Sequence, residues 1–175
     1  MRKALDAGIL VYALLENHPA SQICGSLLRS GRYAFYATAL TPFEVYFVLR
    51  KIYAIEPQEA ATKALALFDL PLHFTDITAS DAQVALRTCI EHGIDANDGL
   101  LLQACLRLNV PSFGSEDRRM LKAGATKGLY PQSPIGPIVR RRMQQWEREK
   151  LPNRGPPAGL EGSPFVDCEC GRQDG

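Results

Sequence analysis

Short apolar segments with strand character alternate along this chain with longer segments whose apolar residues recur at helical spacing. This alternation is typical of a parallel β-sheet with helices on both faces, because a helical crossover must carry the chain back before the next parallel strand begins. The alternation therefore predicts an α/β protein, a three-layer α/β/α fold with a central parallel sheet of about four to five strands. The predicted strands are an initial strand ending at Leu5 and residues 33–37, 72–74, 110–113 and 125–130.

The composition of the chain changes after residue 131. Prolines and glycines become frequent there, which is typical of linkers and tails rather than packed cores. We expect one domain over residues 1–131 and a disordered tail over residues 132–175, with a short basic helix at 139–151 that carries Arg140, Arg141 and Arg142. Cys168 and Cys170 in the tail supply only half the ligands of a closed zinc site, so their role stays open.

Charge and hydropathy exclude several classes of protein. The chain has 20 Lys and Arg residues against 19 Asp and Glu residues, so overall charge does not indicate a nucleic-acid binder, and any polyanion must be held by local patches or by a metal. The basic start followed by an apolar run resembles a signal peptide, but Asp6 interrupts it and no small-residue cleavage site follows. The run is too short to span a bilayer. We expect a cytoplasmic protein without a membrane segment.

Acidic residues stand at four separate places, each at the end of a predicted strand or in the first turn of a predicted helix. The carboxyl ends of parallel strands meet at one edge of a sheet, where ligands bind in this fold class. Carboxylates gathered there repel one another, and a cation makes that arrangement tolerable. Oxygen ligands favour Mg²⁺, or Mn²⁺, over zinc, and we expect the three histidines at the surface or in loops. The four acids are Asp6, Glu44, Asp98 and Asp117.

Each of these acids has a second explanation as a helix cap. Asp6 and Asp117 stand where an N-cap is expected, and Glu44 follows Thr41 at the spacing of a capping box. Asp98 is the most diagnostic, because it lies on the same helix stripe as Leu101 and two further apolar residues. An acid aimed at the core needs a partner, so we favour function over capping for Asp98.

Four short motifs occur in a fixed order over residues 4–130: Leu5-Asp6 before Ile9-Leu10-Val11, Thr41-Pro42-Phe43-Glu44-Val45, Ile94-Asp95-Ala96-Asn97-Asp98 and Ser115-Glu116-Asp117-Arg118. Their order and spacing resemble those of PIN-domain ribonucleases, and among them the VapC-like toxins of toxin–antitoxin pairs. The resemblance implies a metal-dependent endoribonuclease that uses Mg²⁺, or Mn²⁺, and leaves 3′-hydroxyl and 5′-phosphate ends. It assigns the metal to Asp6, Glu44, Asp98 and Asp117, with Asp95 and Ser115 in support.

The resemblance also implies partners: an RNA substrate and a cognate antitoxin protein, which would inhibit by placing an arginine among the acids. Homodimerisation is left open. Arg50, Lys51, Arg118 and Arg119 are candidates for binding RNA phosphates, although solvated helix ends explain each of them equally well.

The chain departs from the family pattern at three positions. Ala7 and Gly8 follow the first acid where polar residues are usual, and Glu116 adds a charge beside Asp117. The apolar residues after Asp6 favour a second interpretation, a non-catalytic PIN-like module that binds RNA or protein. Retention of all four acids favours the nuclease.

Overall fold

A computed structural model describes residues 1–151. The tail residues 152–175, with Cys168 and Cys170, lie outside the described part. The sheet has five strands, all parallel, in the order β3-β2-β1-β4-β5. The predicted three-layer α/β/α fold is confirmed. The strands are β1 (Arg2–Leu5), β2 (Ala34–Thr38), β3 (Leu72–Thr75), β4 (Ser112–Gly114) and β5 (Tyr130–Gln132).

Eight α-helices connect and cover these strands in the described part of the chain. A 3-10 turn, Ala66–Asp69, precedes β3. The helices are α1 (Ala7–Leu14), α2 (Ser21–Arg29), α3 (Thr41–Lys51), α4 (Pro57–Leu65), α5 (Ala79–His92), α6 (Ala96–Arg107), α7 (Arg118–Thr126) and α8 (Pro137–Lys150). None of them is both long and apolar enough to cross a membrane.

The two faces of the sheet carry separate apolar cores, because successive side chains of a strand point to opposite faces. Leu5 packs with α1 to α4 and α8 on one face. Its neighbour Ala4 packs with α6 and α7 on the other. On the Ala4 face, Gly99 of α6 lies against α5, where a Cβ on Gly99 would be 2.8 Å from the Ala85 carbonyl oxygen. Helices α5 and α6 therefore meet closely beside Asp98.

The predicted last strand at the edge of the sheet is present, but its predicted bounds, residues 125–130, are wrong. Helix α7 continues to Thr126, and the edge strand begins only at Tyr130. Packing explains the longer helix, because Gly124 lets α7 approach β4 so closely that a Cβ there would lie 2.3 Å from the Phe113 ring. Only glycine, which has no Cβ, fits at position 124 in this contact.

Residues 132–151, expected to belong to a disordered tail with a basic helix at 139–151, form the end of β5 and helix α8 in the structure. Ile135 and Met143 are buried and join the core on the α1 face. Trp146 packs edge-on against the His18 ring, with centroids 5.1 Å apart. The segment therefore covers the domain, and the boundary at residue 131 stays a prediction.

His18 lies in the loop between α1 and α2, in agreement with the expectation of surface or loop positions, but its side chain is buried. Its ring stacks on Tyr12 with centroids 4.5 Å apart, and Tyr53 and Trp146 close the other sides. Burial lowers the pKa of His18 to about 4. The histidine is therefore a neutral core residue above that pH.

Candidate active site

The four acids stand at the carboxyl edge of three neighbouring strands. Asp6 follows β1 directly and Asp117 follows β4, while Glu44 lies in the first turn of the helix after β2. Asp98 lies in the first turn of α6, which packs on the same part of the sheet. Since β2, β1 and β4 are adjacent, the fold gathers these helix starts and strand ends along one edge.

Asp98 shows the strongest electrostatic effect. Its side chain is buried, and burial followed by the charges of the neighbouring carboxylates raises its pKa to about 9. The carboxylates that act on it are Asp6, Asp117, Glu44 and Asp95, in decreasing order. This set contains all three other predicted metal ligands, so the acids share one electrostatic site.

Glu44 is not part of a capping box. Leu40 is the N-cap of α3, and Thr41 lies inside the helix, where its hydroxyl accepts from the Thr38 amide at 3.1 Å. Burial and the charges of Asp6 and Asp95 raise the pKa of Glu44 to about 8. The Glu44 carboxyl therefore forms no helix cap, and it belongs to the acid site because the charges of Asp6 and Asp95 act on it.

Asp6 combines capping with a contact that closes the site. Its carboxylate accepts from the Gly8 amide at 3.4 Å, and the Ser115 hydroxyl donates to the other oxygen at 2.7 Å. Burial raises the pKa of Asp6 although both hydrogen bonds oppose the rise. Ser115 is fully buried and also accepts from the Asp117 amide at 3.0 Å, so it ties the end of β1 to the end of β4.

Asp117 and Asp95 are true helix caps that also lie at the site. Asp117 accepts from the Arg119 and Met120 amides at 2.6 and 2.9 Å, and Asp95 accepts from the Asn97 amide at 3.1 Å. Both carboxylates nevertheless raise the pKa of Asp98. Capping and membership of the acid site are therefore compatible for these residues.

The four basic candidates fall into two groups. Arg118 and Arg119 are exposed in the first turn of α7, next to Asp117. Arg50 and Lys51 lie in the last turn of α3, roughly 10 Å along the helix axis from Glu44. Arg50 donates to the Ile55 carbonyl at 2.7 Å, which is a local structural contact. The geometry thus places only the first pair beside the acids.

Two site features were not assigned from the sequence. Asn97, between two of the acids in their motif, donates through its side chain to Glu44 and so opposes the rise in its pKa. Glu116, noted only as an extra charge, forms an ion pair with Arg140 of α8 at 2.7 Å and also accepts from the Ser133 hydroxyl. Nothing local in the sequence indicates a pairing 24 residues apart.

Comparison with known proteins identifies the family and supports the fold. The PIN-domain family model matches residues 3–125. The chain belongs to the PIN-domain family. A similar solved structure is that of VapBC2 from Rickettsia felis bound to a DNA fragment from their promoter, with a TM-score of 0.55 and 19% sequence identity, covering 76% of this chain and 98% of that chain. No curated protein matches the sequence.

The donor set of this PIN domain fits a hard divalent cation, which PIN domains typically bind. All four ligand candidates offer carboxylate oxygens, and none of the ion pairs within residues 1–151 includes one of them. In the same residues no three His, Cys, Asp or Glu side chains form a ready-made metal cluster. Burial, and after it the charges of the neighbouring carboxylates, raise the pKa values of Glu44 and Asp98, and a bound cation would offset both effects.

Proposed function

We propose that this PIN domain is a metal-dependent endoribonuclease that cleaves RNA phosphodiester bonds and acts as the toxin of a toxin–antitoxin pair. PIN domains are generally nucleases, which supports the reaction class. The observation that carries the proposal is the buried acid site, where burial and mutual repulsion raise the pKa of Glu44 to about 8 and that of Asp98 to about 9. Helix capping accounts for Asp6 and Asp117, but it does not account for the buried carboxyls of Glu44 and Asp98, which form no ion pair within residues 1–151.

Asp6, Glu44, Asp98 and Asp117 would hold one or two Mg²⁺ ions, or Mn²⁺. The chemistry supplied by bound Mg²⁺ would be neutralisation of phosphate charge and a lowered pKa for a water molecule. Ser115 fixes the Asp6 carboxylate through its 2.7 Å hydrogen bond, and Asn97 supports Glu44. Carboxylates held in this way are positioned to accept a proton from water.

Arg118 and Arg119 would bind the RNA backbone beside the acids. Both side chains are exposed at the start of α7, one and two positions after Asp117. Arginine suits this role because its planar guanidinium donates two parallel hydrogen bonds to a phosphate. We retain Arg50 and Lys51 only as contacts for a more distant part of the RNA, because they lie at the far end of α3.

An antitoxin protein is the proposed partner. The similar VapBC2 structure contains such a complex, which supports the assignment. In this chain Phe43 and Phe47 are 63% and 50% exposed on α3, on either side of Glu44 in the sequence. An apolar segment covering them would sit beside the acids, where an arginine of the partner would pair with the carboxylates. This partner is tested by co-expressing the chain with the product of a neighbouring gene, and the complex should lose RNase activity. Homodimerisation stays a prediction.

Cleavage of a mixed, structured RNA pool tests the reaction. Wild-type protein should cut with Mg²⁺ or Mn²⁺ and stop in EDTA, and Asp98→Asn should be inactive. Asp69→Asn, an acid exposed in the 3-10 turn before β3, is the matched control and should cut normally. RNA binding without cleavage by the wild type would favour the non-catalytic module, and full activity in Asp98→Asn would remove Asp98 from the site.

A further inference from the structure

A pocket lies between helix α2 and the edge strand β5, with Gly114 of β4 in its wall. Its volume is about 700 Å³, which lies within the range of small-molecule sites. None of the four acids lines it. The polar residues that line it are Lys3, Ser26, Ser30, Arg32, Tyr33, Gln132 and Ser133.

Lys3 is the unusual residue of this pocket. It belongs to the central strand β1, is only 4% exposed, and forms no ion pair with any carboxylate in residues 1–151. Its ammonium donates to the Gln132 side-chain oxygen and lies 4.3 Å from the centroid of the Tyr33 ring. Burial of a charge without a counter-charge is costly, and an ammonium has three N–H donors. Lys3 therefore has both the charge and the donors to bind an anion.

Arg32 adds a second positive charge at the pocket wall. Gly31, at φ +64°, ends the α2 segment and turns the chain so that Arg32 and Tyr33 both line the cavity. The Arg32 side chain is exposed and is not part of any ion pair within the described residues. Two cations without carboxylate partners thus line one cavity.

Hydroxyl groups and an apolar wall complete the chemistry. Ser26 of α2 and Ser30, the C-cap of that helix, stand four positions apart, which places them on one helix face, and both line the pocket. Leu27 and Pro134 supply apolar surface. Ammonium, guanidinium and hydroxyl donors together are the groups that recognise phosphate, while apolar surface suits the rest of an organic ligand.

We propose that this pocket binds the phosphate group of a mononucleotide-sized ligand, with Lys3 and Arg32 as the phosphate-binding residues. The site is distinct from the acid site and needs no divalent metal. It goes beyond the proposed nuclease function, since binding here involves none of the residues assigned to cleavage.

Binding of AMP to the full chain in EDTA tests the proposal, with adenosine as the phosphate-free probe and inorganic phosphate as the minimal one. We expect AMP and phosphate to raise the melting temperature at about 10 mM, and adenosine to leave it unchanged. In calorimetry, Lys3→Met and Arg32→Gln should each weaken AMP binding by about tenfold or more, because each removes a charge-assisted hydrogen bond. Arg87→Gln, an exposed arginine on α5, should bind as the wild type does.

The same titration in Asp98→Asn separates this pocket from the acid site, and AMP binding there should equal that of the wild type. Arg32→Gln keeps the test informative if Lys3→Met does not fold, because Arg32 is exposed. The proposal is overturned by a lack of any shift with either AMP or phosphate, by equal shifts with AMP and adenosine, or by undiminished AMP binding in Arg32→Gln.

Discussion

Replacing Asp98 with asparagine tests how burial and neighbouring charge act on the acid site. The pKa of Asp98 rises from an ordinary 3.8 to about 9 in the fold. Between these values the folded protein binds one proton more than the unfolded chain, so the free energy of unfolding falls as the pH rises. The fall amounts to about 1.4 kcal/mol per pH unit for one group. The pKa of Glu44 is raised to about 8, so this residue also lowers the free energy of unfolding as the pH rises.

Asparagine resembles the neutral, protonated form of Asp98 and takes up no proton. The variant therefore loses the contribution of Asp98 to the pH dependence of the free energy of unfolding and keeps that of Glu44. Over about two pH units, from about pH 6 to pH 8, the wild type should lose about 3 kcal/mol more stability than Asp98→Asn. Urea unfolding followed by circular dichroism in EDTA measures the free energy of unfolding at each pH. Asp69→Asn should follow the wild type. Parallel pH profiles for Asp98→Asn and the wild type would refute the raised pKa.

Three further variants test other contacts. Ser115→Ala removes the hydroxyl that donates to Asp6 at 2.7 Å and should cost about 1–3 kcal/mol in urea unfolding; a change within experimental error would contradict the contact. Arg140→Gln breaks the partly buried pair with Glu116 and should speed hydrogen exchange in α8 while leaving α6 unchanged; equal exchange in α8 would rule out the anchoring role. Burial lowers the pKa of His18 from 6.5 to about 4 on folding, so the free energy of unfolding falls as the pH drops through that range. His18→Phe should therefore remove up to about 3 kcal/mol of this loss of stability at low pH. Unchanged acid sensitivity would show that His18 is not the group responsible.

Residue patterns predicted the architecture and the burial of Asp98, while the assignment of the four acids as metal ligands stays a prediction. The alternation of apolar segments predicted the parallel sheet, and the position of Asp98 on an apolar helix stripe predicted its burial. Both are local signals, since a strand end or a helix face is defined within a few residues. The site as an assembly follows because parallel strands end at one edge, so local positions imply proximity there.

The starts of helix α3 and of the edge strand β5 were predicted at the wrong residues. Thr41 and Glu44 have the spacing of a capping box, but the Thr41 hydroxyl accepts a hydrogen bond from the Thr38 amide instead. Helix α3 also begins one residue earlier than a capping box requires. The edge strand was placed too early, because the contact of Gly124 with Phe113 that extends α7 is not visible in local sequence. A proline within the true strand also weakened its signal.

The packing of α8 is the largest feature that the sequence did not indicate. Its apolar face is thin, yet Met143 is buried in the core and Arg140 pairs with Glu116. The same helix places Trp146 against His18, which explains why that histidine is buried. A thin apolar face contributes enough when the surface beneath it is already formed by other elements.

Direct titration of Mn²⁺ into the wild-type protein and Asp98→Asn, by calorimetry, tests the central claim that the four acids form one divalent-metal site. The wild type should bind Mn²⁺ saturably and release protons, because the raised pKa values of Glu44 and Asp98 leave both carboxyls protonated near neutral pH. Asp98→Asn should bind far more weakly, and Asp69→Asn should bind as the wild type does. Equal binding by the wild type and Asp98→Asn, or saturable binding without proton release, would contradict the account.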